Sequence, residues 1–171
     1  MKFTKLLQSL ALAATLLVAV PATSSLQAAE NDGVVRVVYP LDFPDVKRVH
    51  FMLNTLNNLI KHFQSTMTEY KVDVVVYGPG LQYAMHNFQA TGFVGKPYLT
   101  HGGPTGKGTQ GRFLAIKQLA GDNFDMFVCN NTMKKKHVTA KQLHPYAKVT
   151  PGGILKLIEL QQKGASYIKI K

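Results

Sequence analysis

The single cysteine of the chain, Cys129, lies inside the run Asp125–Met133, Asp-Met-Phe-Val-Cys-Asn-Asn-Thr-Met. Apolar and aromatic residues packed this densely mark a buried strand. Asn130, Asn131 and Thr132 follow at once, and their side-chain oxygens accept from the unpaired N–H groups of turns and helix starts. A thiol placed where a strand ends and free N–H groups begin is disposed to ionise, since those donors and the positive end of a helix dipole stabilise an anion. Lys134, Lys135, Lys136 and His137 come directly behind and add positive potential, which lowers a thiol pKa further. The thiolate is the species that accepts sulfane sulfur or is oxidised to a sulfenate. The competing reading is a small packed hydrophobe, as buried free cysteines commonly are. Asn130, Asn131 and Thr132 either bind a ligand or cap the next turn, and capping is the commoner use. They also spell an N-glycosylation acceptor, although poorly placed beside a buried strand.

Other candidate chemistry is weaker. Gly78-Pro79-Gly80 offers N–H groups from Gly78 and Gly80 to an anion, but Pro79 has none to give, and a sharp turn is the simpler role. Gly106–Gly111 matches G-x-G-x-x-G ahead of a helical segment, yet no strand leads into it. A Walker A reading fails, because His101 and Gly108 stand where Gly and Ser or Thr are required. The six histidines show no His-x-x-x-His spacing and there is no Cys-x-x-Cys pair, so no metal site and no cofactor is indicated. His50 shares a helical face with Asn54 and is within reach of the rim discussed below, although an exposed or interface histidine is commoner. No serine–histidine–carboxylate set can be assembled. With nine acidic residues in all, paired-carboxylate catalysis lacks support.

The N-terminus reads as an address. Lys2 and Lys5 precede an uncharged apolar segment, Leu6–Val20, and then the small and polar Pro21–Ala29. This is the layout of a secretory signal peptide, too short in its apolar part for a membrane span. Cleavage is expected after Ala28, with Ala22 the alternative, so the protein is expected to be periplasmic or secreted. Residues 29–171 then form one domain of ordinary size. A lone cysteine excludes an intramolecular disulfide, and in an oxidising compartment such a thiol is buried, paired between chains, or kept for chemistry. The formal charge of +11 falls to +9 without Lys2 and Lys5. Export argues against a nucleic-acid partner, as do lysines spread without an arginine-rich stripe. A solvated basic surface is the simplest account, and attraction to an anionic membrane surface is not specifically indicated.

The elements that position these residues alternate in period. Val34–Val38 and Val72–Tyr77 are near-continuous apolar runs, as in strands covered on both faces of a parallel sheet. Between them Val46, Val49, Leu53, Leu56, Ile60 and Phe63 recur at spacings of three and four, the stripe of an amphipathic helix that starts at Asp45. Phe51, Met52, Leu59 and Met67 widen that surface enough to face a neighbouring subunit. Leu81–Phe88 is a short helical piece, and Gly92–Gly111 a glycine-rich flap. Arg112–Ala120 is a helix, Phe124–Cys129 the third strand, and Thr139–Leu143 a helical turn. Val149 begins a short fourth strand, Pro151–Lys163 is a helix stopped by Gly164, and Tyr167–Ile170 closes the sheet. The alternation predicts an α/β fold with a mostly parallel, about five-stranded sheet. Ligands in such sheets bind beyond the carboxyl ends of the strands. Tyr39-Pro40, Gly78-Pro79-Gly80 and Cys129-Asn130-Asn131-Thr132 are therefore expected along one rim.

The strand leading into Gly78-Pro79-Gly80, the strand ending in Cys129-Asn-Asn-Thr-Met, and the closing Pro151-Gly-Gly-Ile, Glu159-Leu-Gln and Gly164-Ala-Ser-Tyr-Ile resemble the DsrE family, in its exported single-cysteine branch. The resemblance covers nearly all of residues 29–171 and is least at Gly92–Gly111. It implies a three-layer α/β/α fold and a trimeric or hexameric homo-oligomer. It also implies that Cys129 carries sulfur as a persulfide received from a sulfur-donor or thiol partner protein. The residues after Cys129 differ from the small, alanine-rich stretch of the sulfur-relay members, so the relay partners do not carry over.

Overall fold

The computed structural model describes residues 32–93 and 109–171. The expected leader at residues 1–28 and residues 94–108 of the expected flap lie outside them. Five strands form one sheet: β1 Val35–Leu41, β2 Tyr70–Val76, β3 Phe124–Cys129, β4 Ala147–Thr150 and β5 Ser166–Tyr167. Every neighbouring pair is parallel, in the order β4-β3-β2-β1-β5.

Strand periodicity sends alternate residues to opposite faces. Val37, Tyr39 and Leu41 of β1 share the first face with Val72, Val74 and Val76 of β2 and with Phe124, Met126 and Val128 of β3. Helix α1, Val46–Ser65, covers this face with Val49, Met52, Leu53, Leu56, Ile60 and Phe63, which is the predicted stripe plus Met52 and without Val46, whose side chain packs against the core only partly buried. Its start is fixed by Asp45, whose carboxylate accepts from the Arg48 N–H at 2.7 Å. Helix α2, Thr109–Ala120, lies beside it and adds Phe113 and Ile116 to the same core. The second face carries Val38 and Val75, covered by Leu157 and Leu160 of α4, Gly153–Gln162. Helices on both faces of an all-parallel sheet make the predicted three-layer α/β/α arrangement.

The connections set up the site. The short helix α3, Asn130–Lys135, leaves β3 toward the first face, where Met133 joins the larger core. The neighbouring strand β4 instead feeds α4, on the second face. Adjacent strands whose connections part to opposite faces open a crevice at their carboxyl ends, the usual ligand position in open α/β sheets. Cys129, last residue of β3, stands at that parting.

The predicted end of β1 requires correction. The strand continues through Tyr39 and Pro40 to Leu41, so those two residues lie within it rather than on the rim. Beyond Val38 the pairing with β5 has ended, and Pro40 pairs only with Val75 of β2. A proline with one side free of a ladder loses nothing by lacking an N–H. Smaller differences occur elsewhere. Gly78–Ala84 is a continuous 3-10 helix, in place of a turn followed by a helix at Leu81–Phe88. Helix α2 starts three residues before the predicted Arg112.

Candidate functional site

Cys129 is 6% exposed and lines a crevice of about 190 Å³ with Tyr77, Asn131, Thr132, Gly152, Gly153, Ile154 and Leu155. Burial pushes its thiol pKa up, but hydrogen bonding outweighs burial and the net pKa lies below the ordinary value. The Thr132 hydroxyl is the strongest of these donors, followed by the N–H groups of Thr132, Gly153 and Asn131. Each favours the charged form of the sulfur. Two chain segments supply them, one at the start of α3 and one at the start of α4; the Cys129 side chain makes no capping hydrogen bond at the head of α3, so these groups act on the sulfur as nearby dipoles.

Local packing holds this geometry. The Gly78 N–H donates to Thr132 Oγ at 3.1 Å, which ties the segment after β2 to α3 and leaves the hydroxyl its proton to give elsewhere. Gly153 is buried against Tyr77: a Cβ there would lie 3.0 Å from both Cβ and Cδ1 of that ring side chain. A side chain here would press on the ring, which would have to give by a few tenths of an ångström, so glycine lets the first turn of α4 sit close beside Cys129. Burial, then the charge of Asp42, pushes the Tyr77 hydroxyl up to about 12, so the ring stands in the crevice as a neutral wall.

A second and larger cavity, about 930 Å³, opens on the other side of Tyr77, Asn131 and Thr132, which line both spaces. Among the described residues Pro44, Asp45, Gly78, Pro79, Gln82, Phe93, Lys135 and Lys136 also line it. The Gln82 side-chain amide donates to the Pro79 carbonyl. Its Oε1 is buried and has no hydrogen-bond partner among the described residues.

The residues singled out in the sequence divide into two groups. Cys129, Asn131, Thr132 and Gly78 come together around the two cavities. Asn130 starts α3 beside them without lining either space. Gly80 is buried behind the site, where a Cβ would lie 2.1 Å from the Leu41 carbonyl oxygen, so its role is close backbone approach rather than anion contact. Tyr39 is 3% exposed within the core, and Thr55 engages its hydroxyl. His50 is drawn away to α2, sharing a 2.9 Å hydrogen bond with Thr109, and the adjacent Asn54 accepts from Arg112 at 2.6 Å. Lys134 is exposed and lines neither cavity, whereas Lys135 and Lys136 line the larger one. The expected effect of the lysine run on the thiol is replaced by short-range hydrogen bonding, the dominant lowering influence on Cys129.

Sequence reasoning missed Tyr77, Gln82, Phe93 and Gly153 as site residues. For Gly153 a signal was present, since Pro151-Gly152-Gly153 follows directly on the carboxyl end of a strand. Among the described residues no group of three or more His, Cys, Asp or Glu side chains is placed to hold a metal ion.

No curated protein matches the chain. Among solved structures it is similar to MTH1491, a protein of unknown function from Methanobacterium thermoautotrophicum. The two share 20% identity with a TM-score of 0.57, over 79% of this chain and 98% of that one. At that identity the likeness shows a common fold. The DsrE/DsrF-like family matches residues 45–170, from the cap of α1 past the last strand, with both glycine-bearing segments and Cys129 inside the match. The chain is a member of the DsrE/DsrF-like family.

Proposed function

We propose that this protein is an exported sulfur carrier or thiol-redox protein that works through Cys129. The observation that carries the reading is the place of Cys129 at the carboxyl end of β3, where it lines a crevice with Asn131, Thr132 and Gly153, whose polar groups draw its pKa below the ordinary value. In the carrier reaction the Cys129 thiolate attacks the outer sulfur of a donor persulfide, R–S–SH. A new S–S bond forms at Cys129, the donor S–S bond breaks, and R–S⁻ leaves with the electron pair. Attack by an acceptor thiolate on the outer sulfur of the Cys129 persulfide returns the cysteine as thiolate and passes the sulfur on, with no net oxidation. The same thiolate attacks one oxygen of hydrogen peroxide, forming an S–O bond as the O–O bond breaks, to give a sulfenic acid and hydroxide. With one cysteine in the chain, release in either case requires a thiol from outside.

Export rests on the basic, apolar and small-residue order of residues 1–28. Self-association is part of the proposal, supported by Ile154, Leu155 and Ile158 of α4, which are 55%, 66% and 47% exposed along one helix. Ile154 and Leu155 also border the Cys129 crevice, so a subunit seated there would form part of its wall.

The carrier role is tested by incubating the purified protein with inorganic polysulfide and reading the intact mass. The expected result is a gain of one sulfur atom, reversed by cyanide and absent from Cys129→Ser. Lack of that gain in protein whose thiol alkylates normally would exclude the carrier role. A second reading, an assembly or ligand-binding module with a packed cysteine, is favoured by the 6% exposure of Cys129. It predicts alkylation only after denaturation.

A further inference from the structure

We propose that the larger cavity binds a small amphipathic organic anion, with Lys135 and Lys136 receiving its charge and Gln82 Oε1 receiving a hydrogen-bond donor. This goes beyond the sulfur chemistry and does not depend on it. Three independent features converge. The volume, about 930 Å³, belongs to the class of small-molecule sites. Much of the wall is an apolar body contact, made by Pro44, Tyr77, Pro79 and Phe93. The polar groups left without a partner among the described residues are of defined sense, as orienting groups in such sites are: the lysine ammoniums donate and Gln82 Oε1 accepts.

The charge at the cavity favours an anion. Lys135 is exposed, and neither it nor Lys136 makes an ion pair among the described residues. The Lys136 ammonium lies 5.6 Å from the centre of the Phe93 ring, which places positive charge beside an aromatic wall. Among the described residues Asp45 is the one acidic residue in the lining, and its carboxylate is held by the Arg48 N–H at the head of α1. The buried acceptor supplies the second specification. Because Pro79 offers a carbonyl, the amide nitrogen of Gln82 must face it, which fixes Oε1 as the unpaired atom. Gln82 is 2% exposed, and a buried acceptor left unpaired is costly, so an N–H or O–H from a ligand gains by meeting it. The occupant therefore carries an apolar body, an anionic group and a hydrogen-bond donor. Tyr77, Asn131 and Thr132 belong to both cavities, so this anion would sit beside Cys129.

Two probes isolate the charge. 8-Anilinonaphthalene-1-sulfonate has an apolar body, an N–H and a sulfonate, and N-phenyl-1-naphthylamine is the same body and N–H without the sulfonate. Fluorescence titration of the full chain is expected to give one saturable site for the sulfonate, with the neutral amine about tenfold weaker or more. Lys135→Gln/Lys136→Gln, a change confined to lysine side chains at the cavity mouth, is expected to weaken the sulfonate about tenfold while leaving the neutral amine unaltered. Cys129→Ser is expected to retain sulfonate binding, which separates this site from the thiol. Equal affinity for the two probes, or an unchanged sulfonate affinity in the double lysine variant, would overturn the proposal. A circular-dichroism melt alike for variant and parent shows that the variant is folded.

Discussion

Thr132 and Gly78 are joined across the carboxyl edge of the sheet: the Gly78 N–H donates to Thr132 Oγ at 3.1 Å. A hydroxyl that accepts from one side has its proton to give on the other, and the Thr132 hydroxyl is the foremost influence drawing the Cys129 pKa down. The thiol is thereby coupled to the segment after β2, although the two are about fifty residues apart in the chain. Thr132→Ala removes the strongest donor and leaves the burial that opposes ionisation. The variant is expected to alkylate roughly tenfold more slowly at pH 7, from the loss of one hydrogen bond to a charged atom. Thr132→Ser, which keeps the hydroxyl, is expected to stay near the parent. Stopped-time alkylation read by intact mass checks both.

Gly80 is needed for a different reason. A methyl group there would lie 2.1 Å from the Leu41 carbonyl oxygen and 2.6 Å from its carbon, so relief requires backbone movement at the end of β1. Gly80→Ala is expected to cost about 3 kcal/mol, at the upper end of overpacking effects. Urea unfolding measures it as a lower midpoint with little change in slope.

Much of this architecture is legible in the sequence. The three-and-four spacing from Val46 to Phe63 gives α1, since one buried stripe needs no tertiary information to recognise. The density of apolar residues from Phe124 to Cys129 gives β3 with both ends correct. Pro40 misled because a proline reads as a strand terminator, whereas whether it is one depends on how many neighbours the strand has at that point. His50 shows a different limit, as a residue on a helix face carries no mark of whether that face meets solvent, a rim or another helix. Within Lys134-Lys135-Lys136, a turn of about 100° per residue decides which side chain faces a cavity, and composition is blind to that. Tyr77, Gln82 and Phe93 become neighbours only once β2, the 3-10 segment and α3 are packed.

A pH dependence follows from two buried groups of opposite sign. Asp73 is 2% exposed, its Oδ1 has no hydrogen-bond partner among the described residues, and burial foremost pushes its carboxyl up to about 6. Lys71, Lys156 and Lys148 pull it down, Asp125 pushes it up, and Arg36 faces it from β1. Between its usual 3.8 and about 6 the folded chain binds the proton that the unfolded chain has released, so this group lowers stability as pH rises through that window. His144 acts in the other direction. Burial, then the neighbouring His86, pushes it down to about 4, so stability is lost as pH falls from 6.5 toward that value. The two partly cancel in the parent protein. Asp73→Asn is expected to be more stable by about 1–3 kcal/mol at pH 7, with the difference closing near pH 4 and a steeper acid loss unmasked. Urea unfolding at half-unit steps from pH 4 to 7 measures both curves.

The proposed self-association makes its own prediction. Ile158→Glu places a charge on the exposed apolar side of α4, since Ile158 is 47% exposed and is not part of the core cluster that holds Leu157 and Leu160. The variant is expected to sediment at a lower mass than the parent, while its unfolding midpoint at low protein concentration shifts by roughly 0.5 kcal/mol or less. An unchanged mass would place any assembly on another surface.

The central claim is that Cys129 is held as a reactive thiolate by donors from two chain segments. Its most direct test is the rate of iodoacetamide alkylation of the native protein between pH 5 and 9, read by intact mass. Labelling at Cys129 is expected without denaturant, with a midpoint below that of a free cysteine and displaced upward in Thr132→Ala. Labelling confined to the denatured chain, or a native midpoint at or above that of free cysteine, would contradict it.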